Sequence, residues 1–576
     1  MIKVSDYIIQ FLEEKGVDTA FCVSGGAAAH LMDSLRSSGI KVIHNYHEQA
    51  CAMAADAYSR ITNKPALVLV TNGPGSSNAI TGVLGAYQDS IPMFVLSGQV
   101  PTHQTMHTQL ANLRQLGLQE ADIISMVRHC TNYSAQIQDY KQTQDILNEA
   151  WDAATFHRKG PVWIDVPIDV QAEKIEVEEI EEFVNHLVDY TEEINQIFER
   201  IKLSKKPLIV VGNGVHLSGR EKEFLQFVNN IRIPVVSTWN ASDLFDFNDP
   251  LYIGNFGLIG QRAANFAVQN ADLILVLGSR LSIPCTGYNT KEFAKNAYKI
   301  MVDIDYNEMW KSTLSIDKQI DADLTDFLPQ IASFEINYDC SEWKQQTVGW
   351  KWQHSVYNEN HTREEGYVNS YDFMEHLSSY LKAKDIIVTD MGTSFTCTMQ
   401  ALMNTGSNRL FTSSALCSMG FGLPGAIGAC LADSEARVIC VAGDGGFQMN
   451  VQELQTVAHY QLPIKIIVLN NNGYLAISLM QDNLFAGKRF GADEDSGVSA
   501  PDFYSIAKAY KIPSIKLKSL EDVNFSLKQL LDVKGPLLIE VNMVRDQLLI
   551  PRVQSKKDKD GKIISGSLDS MFPFLD

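Results

Sequence analysis

One carboxylate and a cluster of carboxamides stand at the ends of two apolar runs in VICVAGDGGFQMNVQELQTVAHYQLPIKIIVLNNNGY, Val438–Tyr474. Asp444 closes the first run and Asn471 follows the second. A carboxylate, a carboxamide oxygen and the Gly473 carbonyl are the hard donors that Mg²⁺ takes into an octahedral shell, with phosphate oxygens and water completing it. Gly443, Gly445 and Gly446 admit a ligand close to the backbone, and a helix starting there offers free N–H groups to a diphosphate. A solvated Asp-Gly turn beside a solvated Asn cluster has the same composition. The joining of the two halves by one helix and one strand favours the metal–diphosphate reading.

Such a site needs buried strands to carry it, and the chain supplies them throughout. Ala66–Val70, Met93–Gly98, Pro161–Pro167, Pro207–Gly212, Ala271–Ser279 and Asp385–Asp390 are short, continuous apolar runs separated by helical patterns. Continuous rather than alternating apolarity indicates parallel strands covered on both faces. At 576 residues the chain exceeds one core. Polar stretches at Ala172–Glu193 and Asp339–Ser370 read as linkers, leaving three doubly wound parallel-sheet α/β domains at 1–180, 190–345 and 365–576. Leu67–Gln99 and Val438–Asn472 share one pattern: strand, glycine-rich turn, helix, an Ile/Leu-Pro step and a second strand. That repetition points to a duplicated fold, and ligands of open α/β sheets collect at strand C-termini.

Other chemistries find less support. No GxxxxGK[ST] is present, which excludes a P-loop NTPase, and the Gly-x-Gly of Val210–Gly219 lacks the third glycine of a dinucleotide fingerprint. Nine scattered cysteines form no CxxC pair, so they read as reduced core residues. The net charge of −20 argues against a nucleic-acid surface. No apolar run approaches the roughly 20 residues a membrane span requires, and the acidic residues of the opening helix suit no targeting peptide. The cytoplasm follows by elimination.

GDG followed by NN at this distance resembles the thiamine diphosphate (ThDP) signature, and the chain as a whole is similar to the acetolactate (acetohydroxyacid) synthase branch of that family. HEQACAMAADAYSR, TNGPGSSNAITG, DSIPMFVLSGQVP, GPVWIDVP, SMGFGLPGAIGA and AGDGGFQMNVQEL carry the likeness. It implies a pyrimidine-binding first domain, a central domain, and a diphosphate- and Mg²⁺-binding third domain whose C-terminal tail forms a lid. Glu48, taken alone, is an N-terminal helix charge. The resemblance makes it the group that hydrogen-bonds the cofactor's pyrimidine ring and promotes deprotonation of thiazolium C2. Asp444, Asn471 and Gly473 match the metal ligands. Gly392, Thr393, Ser394, Gly443, Gly445, Gly446, Tyr474 and Leu475 match the rest of the diphosphate cradle, and Asn72 and Gly73 a cofactor turn in the first domain. Met419 matches the apolar residue that bends the cofactor. Gln119, Gly25 and Gly26 match groups facing the reacting centre. The implied reaction is decarboxylation of a 2-oxo acid, pyruvate foremost, with transfer of the acyl unit to a carbonyl acceptor. The implied assembly is a homodimer at least, commonly a tetramer, because the family places the glutamate across a subunit interface from the diphosphate.

The departures from the family fall on one side. Ser24 replaces a proline, Asn72 a serine, Leu118 a phenylalanine and Ile168 a lysine, and the segment between Gln99 and Gln119 is longer. Ala476 and Met480 replace the methionine and tryptophan that shape the acceptor pocket. Cofactor and donor groups are kept while Leu118, Ala476 and Met480 change the acceptor side, which favours a larger acceptor such as a keto-sugar nucleotide. The central domain resembles the FAD-holding domain of synthases, which makes FAD a candidate cofactor, although SRLSIPCTGY departs from that pattern and disfavours it. The rival readings are a simple 2-oxo acid decarboxylase or oxidase, a dehydrogenase, and a non-catalytic cofactor-binding scaffold. His103 and His107 read as solvated loop residues, and His47 as a packing residue.

Overall fold

Valine, isoleucine and leucine runs form eighteen strands in three six-stranded sheets, every neighbouring pair parallel. The computed structural model describes residues 1–106, 113–177, 187–336, 338–557 and 563–575. In the first unit the strands are β1 Thr19–Cys22, β2 Lys41–His44, β3 Ala66–Val70, β4 Met93–Gln99, β5 Tyr133–Gln136 and β6 Pro161–Pro167, in the order β2-β1-β3-β4-β6-β5. The central unit has β7 Pro207–Val211, β8 Val235–Ser237, β9 Tyr252–Asn255, β10 Leu273–Leu277, β11 Tyr298–Asp303 and β12 Lys318–Asp321, in the order β9-β8-β7-β10-β11-β12. The third has β13 Ile386–Thr389, β14 Arg409–Phe411, β15 Val438–Gly443, β16 Lys465–Asn470, β17 Ser514–Leu517 and β18 Leu537–Asn542, in the order β14-β13-β15-β16-β18-β17. Renumbered within each unit, the first and third orders are identical, 2-1-3-4-6-5. The central unit, 3-2-1-4-5-6, has the doubly wound dinucleotide-fold order.

Register places the functional loops side by side. Thr389 pairs with Val441, Gly443 with Leu469, and Asn470 with Asn542, so the chain leaves β13, β15 and β16 along one edge. The six helices that matter here are α1 Glu48–Thr62, α2 Pro74–Asp89, α3 Thr393–Ala401, α4 Gly422–Ala432, α5 Asp444–Met449 and α6 Leu475–Phe485. Alanines line α1: Ala50, Ala52, Ala54, Ala55 and Ala57 are all fully buried. A Cβ on Gly428 of α4 would lie 2.0 Å from the Ala54 carbonyl oxygen. Small residues therefore let the helix that carries Glu48 lie backbone against backbone on the third unit. Side chains complete the junction. Asn450 Nδ2 donates to Gln49 Oε1 at 3.0 Å, and Asn45 Nδ2 to Glu453 Oε2 at 2.9 Å.

The stretches read as linkers carry elements of their own. In Asp339–Ser370, Ser341–Gln353 is a helix whose Trp343 belongs to the central core. In Ala172–Glu193, Lys174–Ile175 pairs antiparallel with Ile2–Lys3 and Thr191 opens the helix Thr191–Leu203, while residues 178–186 lie outside the described residues. The C-terminal segment returns to the central unit, where Asn265 Nδ2 donates to Leu568 O and Arg262 to Pro573 O, at 2.9 and 2.6 Å. Of the nine cysteines, only Cys417 is exposed. Among the described residues no helix is long and apolar enough to cross a membrane.

Candidate active site

Asp444 is the first residue of α5 and is buried. Its Oδ1 accepts the Gly445 N–H at 2.6 Å and its Oδ2 the Gly473 N–H at 3.1 Å, bridging the loops after β15 and β16. Burial pushes its carboxyl up to about 6, against the pull of backbone N–H groups from Gly473, Gly445, Asn472 and Asn471. Asn471 is buried beside it. Tyr474 N–H donates to Ala492 O at 2.7 Å, which fixes the turn through Gly473. Among the described residues no three His, Cys, Asp or Glu side chains gather as a metal nest, so a cation here relies on one carboxylate plus neutral oxygens.

The cradle around this pair comes from three loops. Gly392 precedes α3 with φ of +83°, Thr393 begins the helix, and Ser394 Oγ donates to Met391 O at 3.1 Å. Ser394 Oγ also lies 3.9 Å from the position a Cβ on Gly443 would take. A Cβ on Gly445 would collide with the Tyr474 ring at 2.1 Å and approach Met419 Cε at 3.2 Å. Tyr474, Gly445 and Met419 thus form one cluster, with Leu475 buried behind it.

Glu48 heads α1 and is 9% exposed. Its Oε2 accepts from Asn78 Nδ2 of α2 at 3.0 Å. Thr71 fills the space beside Gly25 and Gly75, while Gly26 faces open space. The contacts of Glu48 therefore come from the first unit, and those of Asp444 from the third. His47 caps α1, its ring accepting the Gln49 N–H at 3.1 Å.

A third group of residues borders Gly73. Asn72 Nδ2 donates to Leu118 O at 3.0 Å, and Gln99 Nε2 to Ala121 O at 3.0 Å. Gln119 has φ of +59°, and its carbonyl oxygen would lie 2.2 Å from a Cβ on Gly73. Buried Glu120 accepts N–H groups from Met106, Leu116 and Gly117 and folds the segment back on itself. Leu118 is 84% exposed, Ala476 is exposed and Met480 is 43% exposed. His103 is exposed beside Gln104, and His107 lies outside the described residues.

Comparison with known proteins reads the same three units. The family model of the thiamine pyrophosphate enzyme N-terminal TPP binding domain matches residues 2–126, that of the central domain 194–331, and that of the C-terminal TPP binding domain 390–541. The acetolactate synthase isozyme 2 large subunit of Escherichia coli (strain K12) is 32% identical over 540 residues, 94% of this chain and 95% of that protein. The acetolactate synthase large subunit of Lactococcus lactis is 32% identical over 570 residues, covering 97% and 96%. A probable acetolactate synthase large subunit of Methanococcus aeolicus is 33% identical over 562 residues, covering 93% and 91%.

The chain belongs to the thiamine pyrophosphate enzyme family. It is a ThDP- and Mg²⁺-dependent carboligase of the acetolactate synthase type. The residues present fit those groups: a buried carboxylate, an adjacent carboxamide and a backbone carbonyl suit Mg²⁺, and glycine turns at the heads of α3 and α5 suit a diphosphate. At the strand-order reversal of the central unit, Gly212 N–H extends the ladder to Leu277 O and Gly214 N–H donates to Gly278 O, at 3.0 and 2.9 Å.

Asn78, Glu120, Asn450 and Asp390 were not singled out by the sequence. Asn78 had a signal, a carboxamide one turn into a helix after Gly-Pro-Gly. The others look like ordinary polar residues until the fold brings their partners to them.

Proposed function

We propose that this thiamine pyrophosphate enzyme takes pyruvate as acyl donor and passes the two-carbon unit to a carbonyl acceptor larger than pyruvate. When bound, the cofactor supplies the electron sink for losing CO₂ and for making the carbonyl carbon nucleophilic. The chain's own groups do the rest. Asp444, Asn471 and the Gly473 carbonyl hold the cation. Gly392, Thr393, Ser394 and the head of α5 receive the diphosphate, and Met419 and Tyr474 shape the cofactor between them. Glu48 shares a proton with the pyrimidine ring, and Asn78 orients its carboxylate. Gln119 and the turn at Gly25 and Gly26 face the reacting centre.

The observation that carries the acceptor reading is the pair of small or flexible side chains exposed on α6. Ala476 and Met480 stand exposed in its first two turns, directly after Gly473 and Tyr474. A methyl group and a flexible thioether leave room where bulkier residues would close the pocket. We read the C-terminal segment as a lid; the 3.2 Å bond from Gln554 Nε2 to Asn483 Oδ1 at the end of α6 supports this. A keto-sugar nucleotide is an acceptor of this larger class.

The enzyme is incubated with ThDP, Mg²⁺ and pyruvate, with and without bulky ketones, while CO₂ and product masses are followed. A branched adduct forming faster than acetolactate is expected. Condensation of two pyruvates at least as fast as with any bulky ketone contradicts the acceptor assignment.

A second copy completes the site in this reading, because the family resemblance places Glu48 of one subunit across an interface from Asp444 of the other. Mixing inactive Glu48→Gln and Asp444→Ala subunits then restores activity through mixed dimers with one intact site. No recovery after subunit exchange removes the shared-site assembly.

A further inference from the structure

Asp390 leaves β13 at the edge where the three cradle loops meet, and its side chain is fully buried. Its Oδ1 accepts the Met391 N–H at 2.7 Å and the Gly420 N–H at 3.0 Å. Its Oδ2 accepts the Gly422 N–H at 3.0 Å. Asp390 N–H itself extends the ladder to Val441 O at 2.9 Å. The three carboxylate partners are all backbone N–H groups, and they come from two loops about thirty residues apart in sequence. Two glycines press close to it. A Cβ on Gly422 would lie 3.1 Å from Oδ2, and one on Gly446 would lie 2.7 Å from Oδ1.

Burying a carboxylate without a basic partner is unfavourable, and the cost shows in a carboxyl pushed up to about 6 by burial. Charge-assisted bonds to three N–H groups offset part of it. What this arrangement secures is geometry. One rigid group sets the spacing between the turn at Gly392–Ser394, the loop carrying Met419 and the head of α5 carrying Asp444. We propose that Asp390 is the positioning residue of the cofactor cradle: it prearranges the diphosphate turn, the Met419 loop and the metal-bearing helix without touching the cofactor. Groups held in advance by an inner shell of this kind lose less freedom when a ligand binds. Asp390 therefore governs cofactor affinity, while proton transfer through Glu48 is independent of it. The proposal rests on the ThDP reading of Asp444 and Asn471.

The test uses the full-length apo protein titrated with ThDP in excess Mg²⁺, followed by calorimetry and tryptophan fluorescence. Asp390→Asn keeps the shape but turns one acceptor into a donor facing backbone N–H groups. Its ThDP dissociation constant is expected to rise at least roughly tenfold, the scale of one charge-assisted hydrogen bond. Its kcat at saturating cofactor stays within about threefold and its pyruvate KM is unchanged, as expected when preorganisation rather than chemistry is lost. Gly422→Ala, which displaces the carboxylate while keeping its charge, shifts affinity in the same direction. It decides the matter alone if Asp390→Asn does not fold. Wild-type affinity in the folded variants overturns the proposal, and so does a fall in kcat with affinity unchanged. Failure of wild-type protein to bind ThDP at all sinks the underlying cofactor reading instead.

Discussion

Individual side chains divide the labour between holding and reacting. Asp444 is tied to two loops by backbone N–H groups, whereas Glu48 is held by a single neutral donor, Asn78. That donor sets the direction of the carboxylate without adding charge. Asn78→Ala removes it and is expected to lower kcat roughly tenfold, an effect at the lower end for a group that orients an acid–base residue. ThDP affinity stays near the wild-type value, because Asn78 bonds to Glu48 and not to the groups that receive the diphosphate and the cation. Steady-state kinetics at saturating ThDP, paired with a binding titration, separates the two effects.

At the level of elements, parallel strands deliver loops to one edge and small residues let helices close on each other. The glycine turn after β7 lacks the third glycine of a dinucleotide fingerprint, and SRLSIPCTGY departs from the flavin-holding pattern of synthases. Purified protein is expected to be colourless; a stoichiometric flavin released on denaturation would contradict this. The strands were legible because both faces are buried and their apolar runs are unbroken, as in Lys465–Asn470. The helix Ser341–Gln353 was read as linker because its apolar contact rests on a few tryptophans among polar residues. Asp444 and Asn471 could be picked out because oxygen ligands at neighbouring strand ends have an evident chemistry. Glu48 needed the family resemblance to be singled out. Asp390 and Glu120 stayed hidden because their partners are backbone N–H groups, and backbone leaves no trace in side-chain patterns.

Across the whole molecule, charged pins hold the three units together. His216 of the central unit lies 2.8 Å from Asp243 Oδ1, and Arg409 of the third unit binds the other oxygen of Asp243. Asn63 and Lys159 of the first unit reach the carbonyls of His216 and Leu217. Burial raises the Asp243 carboxyl, but the charges of Arg409 and His216 outweigh it and hold it at about 2. Its folded value thus lies below the unfolded one of about 3.9. The stability it contributes is present above pH 4 and is lost as pH falls towards 2. Asp243→Asn is expected to flatten the fall in urea midpoint over that window. Asp243→Ala leaves Arg409 without its buried partner and costs about 3–5 kcal/mol at neutral pH. An unchanged acid slope in Asp243→Asn assigns the acid sensitivity elsewhere.

All three scales meet at the claim that Glu48 activates a cofactor held by Asp444 and Asn471. The direct measurement is CO₂ release from pyruvate by wild-type enzyme and by Glu48→Gln, each loaded with ThDP and Mg²⁺ and checked for bound cofactor. Release by the wild type is expected, with release by the variant slower by at least about a hundredfold while ThDP stays bound. Wild-type rates from Glu48→Gln, or no CO₂ from the wild type with any 2-oxo acid, would contradict it.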